Sequence, residues 1–175
     1  MQIECIPEYA LTAADDQSIA DLLLRGFAED FGGRSYHQQR HHMRIIARNG
    51  GAMIGHMAIC YRDVCLGENL TTICGLAEVV TAPETRGKGV ATQLLKAAIT
   101  FAESTQAKFF VLFGDRPIYA GHGFITVGNV ITYTSLDYAK TGQVITRETQ
   151  ALMVLPLTDQ PWDEAAPLDL LGWNF

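Results

Sequence analysis

Arg86-Gly87-Lys88-Gly89-Val90-Ala91 is the stretch on which the reading of the chain turns. It follows a strand-like apolar run and opens the clearest amphipathic helix in the sequence. From Gly87 to Ser104 the apolar residues Val90, Leu94, Leu95, Ala98, Phe101 and Ala102 share one face, with Gln93, Lys96, Thr100 and Glu103 opposite. A helix start offers unpaired backbone N–H groups and the positive end of the helix dipole, so a pyrophosphate docks there when no Cβ blocks its approach. Gly87 and Gly89 remove that obstruction, and Arg86 and Lys88 add charge beside the same anion. Three phosphate patterns compete. The P-loop G-x-x-x-x-G-K-[ST] fails because Gly89 is followed by Val90-Ala91. The fingerprint G-x-G-x-x-G needs Gly where Thr92 stands, and antiparallel strands rather than an opening βαβ unit precede the loop. What remains is R/Q-x-x-G-x-G/A, met by Arg86, Gly89 and Ala91; the alternative is a purely structural Gly-rich helix start.

Outward from the loop, Leu70 to Ala82 reads as a strand before it and Lys108 to Phe113 as a buried strand after it. Upstream, Gln2 to Ile6 is a weak strand and Asp15 to Gly26 a helix with Ile19, Leu22, Leu23 and Phe27 on one face. Ser35 to Met43 reads as a polar second helix with Ser35 as N-cap. Met43 to Arg48, the turn Asn49-Gly50-Gly51 and Ala52 to Leu66 form a hairpin, extended through Gly67 into a meander. Arg116 to Gly121 is a short helix, Phe124 to Thr134 a strand, and Ala151 to Leu155 a last strand before a Pro-punctuated tail.

Length bounds the architecture: 175 residues, 48% hydrophobic and 18% charged, fit one domain over 1–175. No apolar run approaches the roughly 20 residues of a bilayer span, and Met1 to Cys5 has no secretory pattern, so the expectation is a cytoplasmic protein with no membrane partner. A formal net charge of −6 is the wrong sign for a nucleic-acid surface and suits a cationic small molecule. Cys5, Cys60, Cys65 and Cys74 form no C-x-x-C pair, reading as reduced, buried thiols with no zinc site.

With the loop at this place among these elements, the chain resembles the GNAT acetyltransferase superfamily from about Gln2 to Leu155. The resemblance implies a mixed α/β fold, with a mainly antiparallel sheet, helices on both faces and a V-shaped split between Leu70–Ala82 and Lys108–Phe113. It implies acetyl-CoA as co-substrate and no metal. The pyrophosphate would lie on Arg86, Gly87, Lys88, Gly89, Val90 and Ala91, and the pantetheine arm would pair with Val80 and Ala82. Gly55-His56-Met57-Ala58-Ile59, Gly75 to Val80, Tyr119 to Phe124 and Val154-Leu155-Pro156 are similar in order to the aminoglycoside 2'-N-acetyltransferase branch. Nodulation-type N-acyltransferases share part of the same block.

Candidate chemistry centres on Glu78, a carboxylate inside the apolar run Ile73 to Ala82, where an unpaired charge is costly. It is read as the base that takes the proton of an ammonium acceptor, directly or through water; the alternatives are a strand end facing solvent and an ion pair to a core-facing Arg. The resembled branch places its remote base here. Tyr119 stands where the superfamily keeps a tyrosine near the sulfur, and a phenol can protonate the departing thiolate. His37 and His41 have metal-compatible spacing but no completing carboxylate, so they read as a solvated face, and His56 and His122 as core or rim residues. Asp30 is a candidate for holding a cationic acceptor, and the resemblance adds the terminal carboxylate at Phe175.

The resulting expectation is an N-acetyltransferase that moves an acetyl group to a primary amine of a small, aminoglycoside-like acceptor in a ternary complex. Homodimers are common in the superfamily. The alternatives are a non-catalytic acyl-CoA-binding domain and an N-acyltransferase for longer chains.

Overall fold

A computed structural model describes residues 1–28, 31–137 and 140–175. The chain divides into two compact units, Met1–Cys60 with Leu76–Phe101 and Tyr61–Gly75 with Ala102–Phe175. The elements are strands with few helices, the mixed α/β class expected from the sequence.

In the first unit, β1 (Gln2–Pro7) runs antiparallel to β2 (Met43–Asn49), from Gln2 opposite Arg48 to Pro7 opposite Met43. β2 turns through Gly50 and Gly51, both at positive φ, into β3 (Ala52–Leu66), with Met43 opposite Ile59. β3 is followed by β4 (Asn69–Thr81). Helix α1 (Ala13–Gly26) begins at Thr12, whose hydroxyl accepts the Asp15 N–H at 3.1 Å, and Asp15 and Asp16 sit at the positive end of its dipole. Its Ile19, Leu22 and Leu23 pack with Ile46, Val80 and Ala82; each such buried aliphatic contributes about 1.5–3 kcal/mol. Successive strand residues face opposite sides, so Ala47 and its partner Gly55 look away from α1. There a Cβ on Gly55 would stand 2.9 Å from Val90 and 2.8 Å from Leu94 of α2 (Val90–Glu103). The two helices therefore cover opposite faces of these strands.

The second unit holds the far ends of β3 and β4 and six further strands: β5 (Phe109–Phe113), β6 (Ile125–Thr126), β7 (Ile131–Asp137), β8 (Lys140–Arg147), β9 (Leu152–Pro156) and β10 (Leu168–Trp173). Their order is β6-β9-β5-β4-β3-β10-β7-β8. β10 is antiparallel to β3 and parallel to β7, which makes the pairing mixed. The core includes Val64, Phe109, Val111, Ile131 and Leu168, with Trp162 edge-on to Phe109 at 4.9 Å. A buried Asn129 pins the late loop: its amide donates to the carbonyls of Asp163 and Ala166 and its oxygen accepts the Trp162 indole N–H, each at 2.8 Å.

Four expectations change. Residues 35–42 form bends, not a helix; with almost no apolar face, the segment is held by hydrogen bonds to charged side chains instead. The strand expected over Phe124–Thr134 is interrupted between Thr126 and Ile131, where Gly128 and Asn129 leave the ladder. The Pro-punctuated tail carries β10, an inner strand, and β8 was not anticipated. Cys5 is exposed and Cys65 half-buried; only Cys60 and Cys74 are buried thiols.

Candidate active site

In the first unit a one-turn 3-10 segment, Pro83–Thr85, leads from β4 to the glycine loop. Gly87 and Gly89 have φ of +73° and +79°, conformations that cost an L side chain about 1–2 kcal/mol. Among the described residues a Cβ built on either meets nothing within 4 Å, which leaves the approach to the loop open. Within α2 the first amide with a backbone acceptor is Gln93, bonded to Gly89 O at 3.1 Å. The amides before it point out of the helix start, as an anion site requires. Glu84 is paired with Arg25 at 2.6 Å and also feels the charge of Lys88, whereas Arg86 makes no ion pair among the described residues.

Ala82 donates its N–H to Ile54 O at 2.9 Å, and its carbonyl accepts from Thr85 N at 2.9 Å and Thr85 Oγ1 at 2.8 Å. It has neither a free donor nor an unshared carbonyl for a ligand, which corrects the backbone pairing expected of it. Alternation along β4 turns the peptide groups of Val79 and Thr81 to the edge away from that bond.

Glu78 lies on the same strand with φ +52°, a left-handed conformation rare for a side chain of this size. Strain of this kind costs about 1–3 kcal/mol and persists where the surroundings over-determine it. Here they do. Oε1 accepts the His37 N–H at 2.7 Å and faces His41 Nε2 at 2.9 Å, Oε2 accepts Arg44 Nη1–H at 2.9 Å, and the Glu78 carbonyl lies 3.1 Å from His56 Nδ1. The side chain keeps 5% of its surface exposed. Burial alone would raise the carboxyl's pKa, but the His41 hydrogen bond and the nearby cationic groups outweigh it and hold the group below the ordinary carboxylate range.

Arg44 is fully buried on β2 and spends its fork inside the protein: Nε on Glu8 Oε2 at 2.5 Å, Nη2 on Glu8 Oε1 at 3.3 Å and Nη1 on Ser35 O at 3.0 Å. Burial, followed by the charge of Arg44, pushes His56 down to about 3. It is a neutral ring whose Nε2 accepts from Arg44 at 3.3 Å and whose Nδ1–H donates to Glu78. Arg40 closes the outer rim on Glu8 at 2.8 Å and Asp16 at 3.1 Å. Glu78 is thus ion-paired with a core-facing Arg and also hydrogen-bonded to His41, which is buried rather than on a solvated face. Arg44 was legible by the test that singled out Glu78, a charge inside the apolar run Met43 to Ala47.

Tyr119 sits in the second unit on α3 (Pro117–Ala120), a single turn begun by Pro117. The ring is buried, edge-on to Phe124 at 6.1 Å, and a Cβ on Gly114 would come within 3.1 Å of it. Burial raises its pKa, opposed by Arg116 and reinforced by Asp115, so at neutral pH it is a phenol with a proton to give. Its hydroxyl has no hydrogen-bond partner among the described residues. Phe175 packs edge-on to Phe113 at 5.5 Å and beneath the Arg62 guanidinium at 5.0 Å, so the last residue is anchored by its ring. Asp30 lies outside the described residues.

Residues 10–127 match the family model described as an acetyltransferase (GNAT) domain, which is more than half of the chain. The chain belongs to the GNAT acetyltransferase family. Solved GNAT structures share its fold at low identity. YhbS of Escherichia coli, in complex with CoA, is 18% identical with a TM-score of 0.66, over 96% of this chain and 88% of that one. A GNAT family acetyltransferase from Brucella melitensis, in complex with acetyl-CoA, is 16% identical with a TM-score of 0.61, over 95% and 94%. The ribosomal-protein-S18-alanine N-acetyltransferase of Escherichia coli is 16% identical with a TM-score of 0.61, over 91% and 97%. No curated protein sequence matches. Within the GNAT fold the glycine loop and the Glu78 cluster both belong to the first unit of this chain.

Proposed function

We propose that this GNAT domain transfers the acetyl group of acetyl-CoA directly to a primary amine of a small acceptor. The observation that carries the reading is the loop Arg86–Ala91: two positive-φ glycines, an unobstructed approach and outward amides at the start of α2, with the side chains of Arg86 and Lys88 in the same loop. Solved relatives of the same fold hold acetyl-CoA or CoA. The pantetheine arm is assigned to β4, with backbone pairing at Val79 and Thr81 in place of Val80 and Ala82.

The amine nitrogen attacks the thioester carbon, the C–S bond breaks, and the CoA thiolate leaves with a proton. Glu78 is the carboxylate toward which the ammonium proton is drawn before attack, and Tyr119 is the donor to the thiolate. An aminoglycoside-like amine is the acceptor to test first, on the motifs shared with that branch and the net charge of −6.

The experiment is thiol release from acetyl-CoA against aminoglycosides, polyamines and amino acids, with product mass checked for one acetyl group. Glu78→Gln is expected to lower kcat at least about 100-fold while acetyl-CoA affinity stays within about twofold. An equal loss of affinity overturns the assignment of Glu78.

A further inference from the structure

The carboxylate of Glu78 is crowded. Its oxygens already carry three donors on a side chain that is 5% exposed, and they hold the group below the ordinary carboxylate range, which makes it a weak base. The proton therefore needs another landing point in the cluster. His56 cannot supply one, because Arg44 and the Glu78 carbonyl occupy its two nitrogens and its protonated form is suppressed down to about pH 3. The His37 ring packs against Phe31 in a tilted arrangement at 5.0 Å, and among the described residues His37 meets Glu78 through its backbone N–H. His41 differs from both. Its Nε2 faces the Glu78 carboxylate at 2.9 Å, which makes that nitrogen the N–H. Its Nδ1 has no hydrogen-bond partner among the described residues and is not among their fully enclosed unpaired atoms.

We infer that His41 takes the proton of the acceptor ammonium on Nδ1, with Glu78 as the carboxylate that orients the ring and stabilises the imidazolium. The acceptor N–H bond breaks, an Nδ1–H bond forms, and the freed lone pair attacks the thioester; the imidazolium then returns its proton to water. The inference rests on the proposed role of Glu78 and supplies its route. It also accounts for the three donors on the carboxylate, since an orienting carboxylate works through a hydrogen bond and does not itself take the proton. Arg44 and His37 N–H hold the carboxylate while His41 does the exchange.

The test pairs His41→Gln with His41→Gly. Glutamine places an amide N–H where Nε2–H stands and has no basic nitrogen, so Glu78 keeps a donor and the cluster keeps its charge. With kanamycin and spermidine as amine probes, His41→Gln is expected to lose at least about 100-fold in kcat. Acetyl-CoA affinity should stay within about twofold and the melting temperature should be unchanged. Added imidazole should restore His41→Gly saturably. In wild type the neutral His41 ring is expected as the Nε2–H tautomer in two-bond 15N spectra, a readout that needs no acceptor. A glutamine variant that retains kcat, a glycine variant that imidazole does not restore, or a proton on Nδ1 of the neutral ring overturns the inference. Loss in Glu78→Gln with full activity in His41→Gln overturns this route alone, whereas full activity in Glu78→Gln removes the underlying reading as well.

Discussion

Arg44 Nη1 stands 2.9 Å from Glu78 Oε2, with no part of the Arg44 side chain exposed and 5% of that of Glu78. A buried pair of this kind is a weak source of net stability but an expensive one to break, because the survivor is left charged in a dry site. Arg44→Met strands two carboxylates, Glu8 and Glu78, and is expected to cost about 3–5 kcal/mol in urea unfolding. Arg44→Lys keeps the charge without the fork and should fall between the variant and wild type. A loss below about 1 kcal/mol for Arg44→Met would show that the network relaxes around the gap.

His56 makes folding pH-dependent in a defined window. Its ring takes a proton near 6.5 when unfolded and only near 3 when folded. Between these values the unfolded chain binds a proton that the native chain refuses, so stability falls as pH drops, by about 1.4 kcal/mol per unit from this group. Glu78 is depressed when folded, so its contribution is intact above the ordinary carboxylate value of 4.5 and is lost below it. From pH 6.5 to 4.5 the slope therefore belongs to His56 and not to Glu78. His56→Gln should flatten the urea midpoint over that interval relative to wild type; an unchanged slope would mean that the ring is protonated in the native state.

Removing only the hydroxyl of Tyr119 separates chemistry from packing. Because that oxygen has no partner among the described residues, Tyr119→Phe should leave the melting temperature within a degree or two, while the ring stays against Phe124. If the phenol protonates the thiolate, kcat should drop about 10- to 100-fold with acetyl-CoA affinity retained. An unchanged kcat removes the residue from the mechanism.

The parts that could be read in advance are those whose signal is local. Gly50-Gly51 and the apolar runs around it place β2 and β3 to within a residue, and the apolar stripe from Val90 to Ala102 locates α2. Glu78 announced itself as a charge among Ile73 to Ala82. His41 did not, because it lies 37 positions away and meets Glu78 only through tertiary packing, and Arg44, a charge in its own apolar run, is legible as a buried cation but not as the partner of Glu78. The helix expected at 35–43 failed for the same reason: Ser35 donates to Asp16 at 2.5 Å and Arg40 binds Glu8 and Asp16, bonds that no 3.6-residue periodicity records. β8, a mostly exposed outer strand from Lys140 to Arg147 whose apolar residues Val144 and Ile145 are adjacent, has no apolar alternation to betray it.

β10 is a keystone. Leu168 lies opposite Leu66 on one flank and Ile131 on the other, and in the strand order β7 and β8 reach β3 only through it. The pairing joins residues about a hundred positions apart, the kind of contact that forms late because its closure entropy is met before its reward arrives. Until it forms, β3 presents an unpaired edge of N–H and C=O groups, a template for pairing with another chain. The interval of greatest risk for aggregation in this protein is therefore the wait for six residues, Leu168 to Trp173, to slot between strands made long before them.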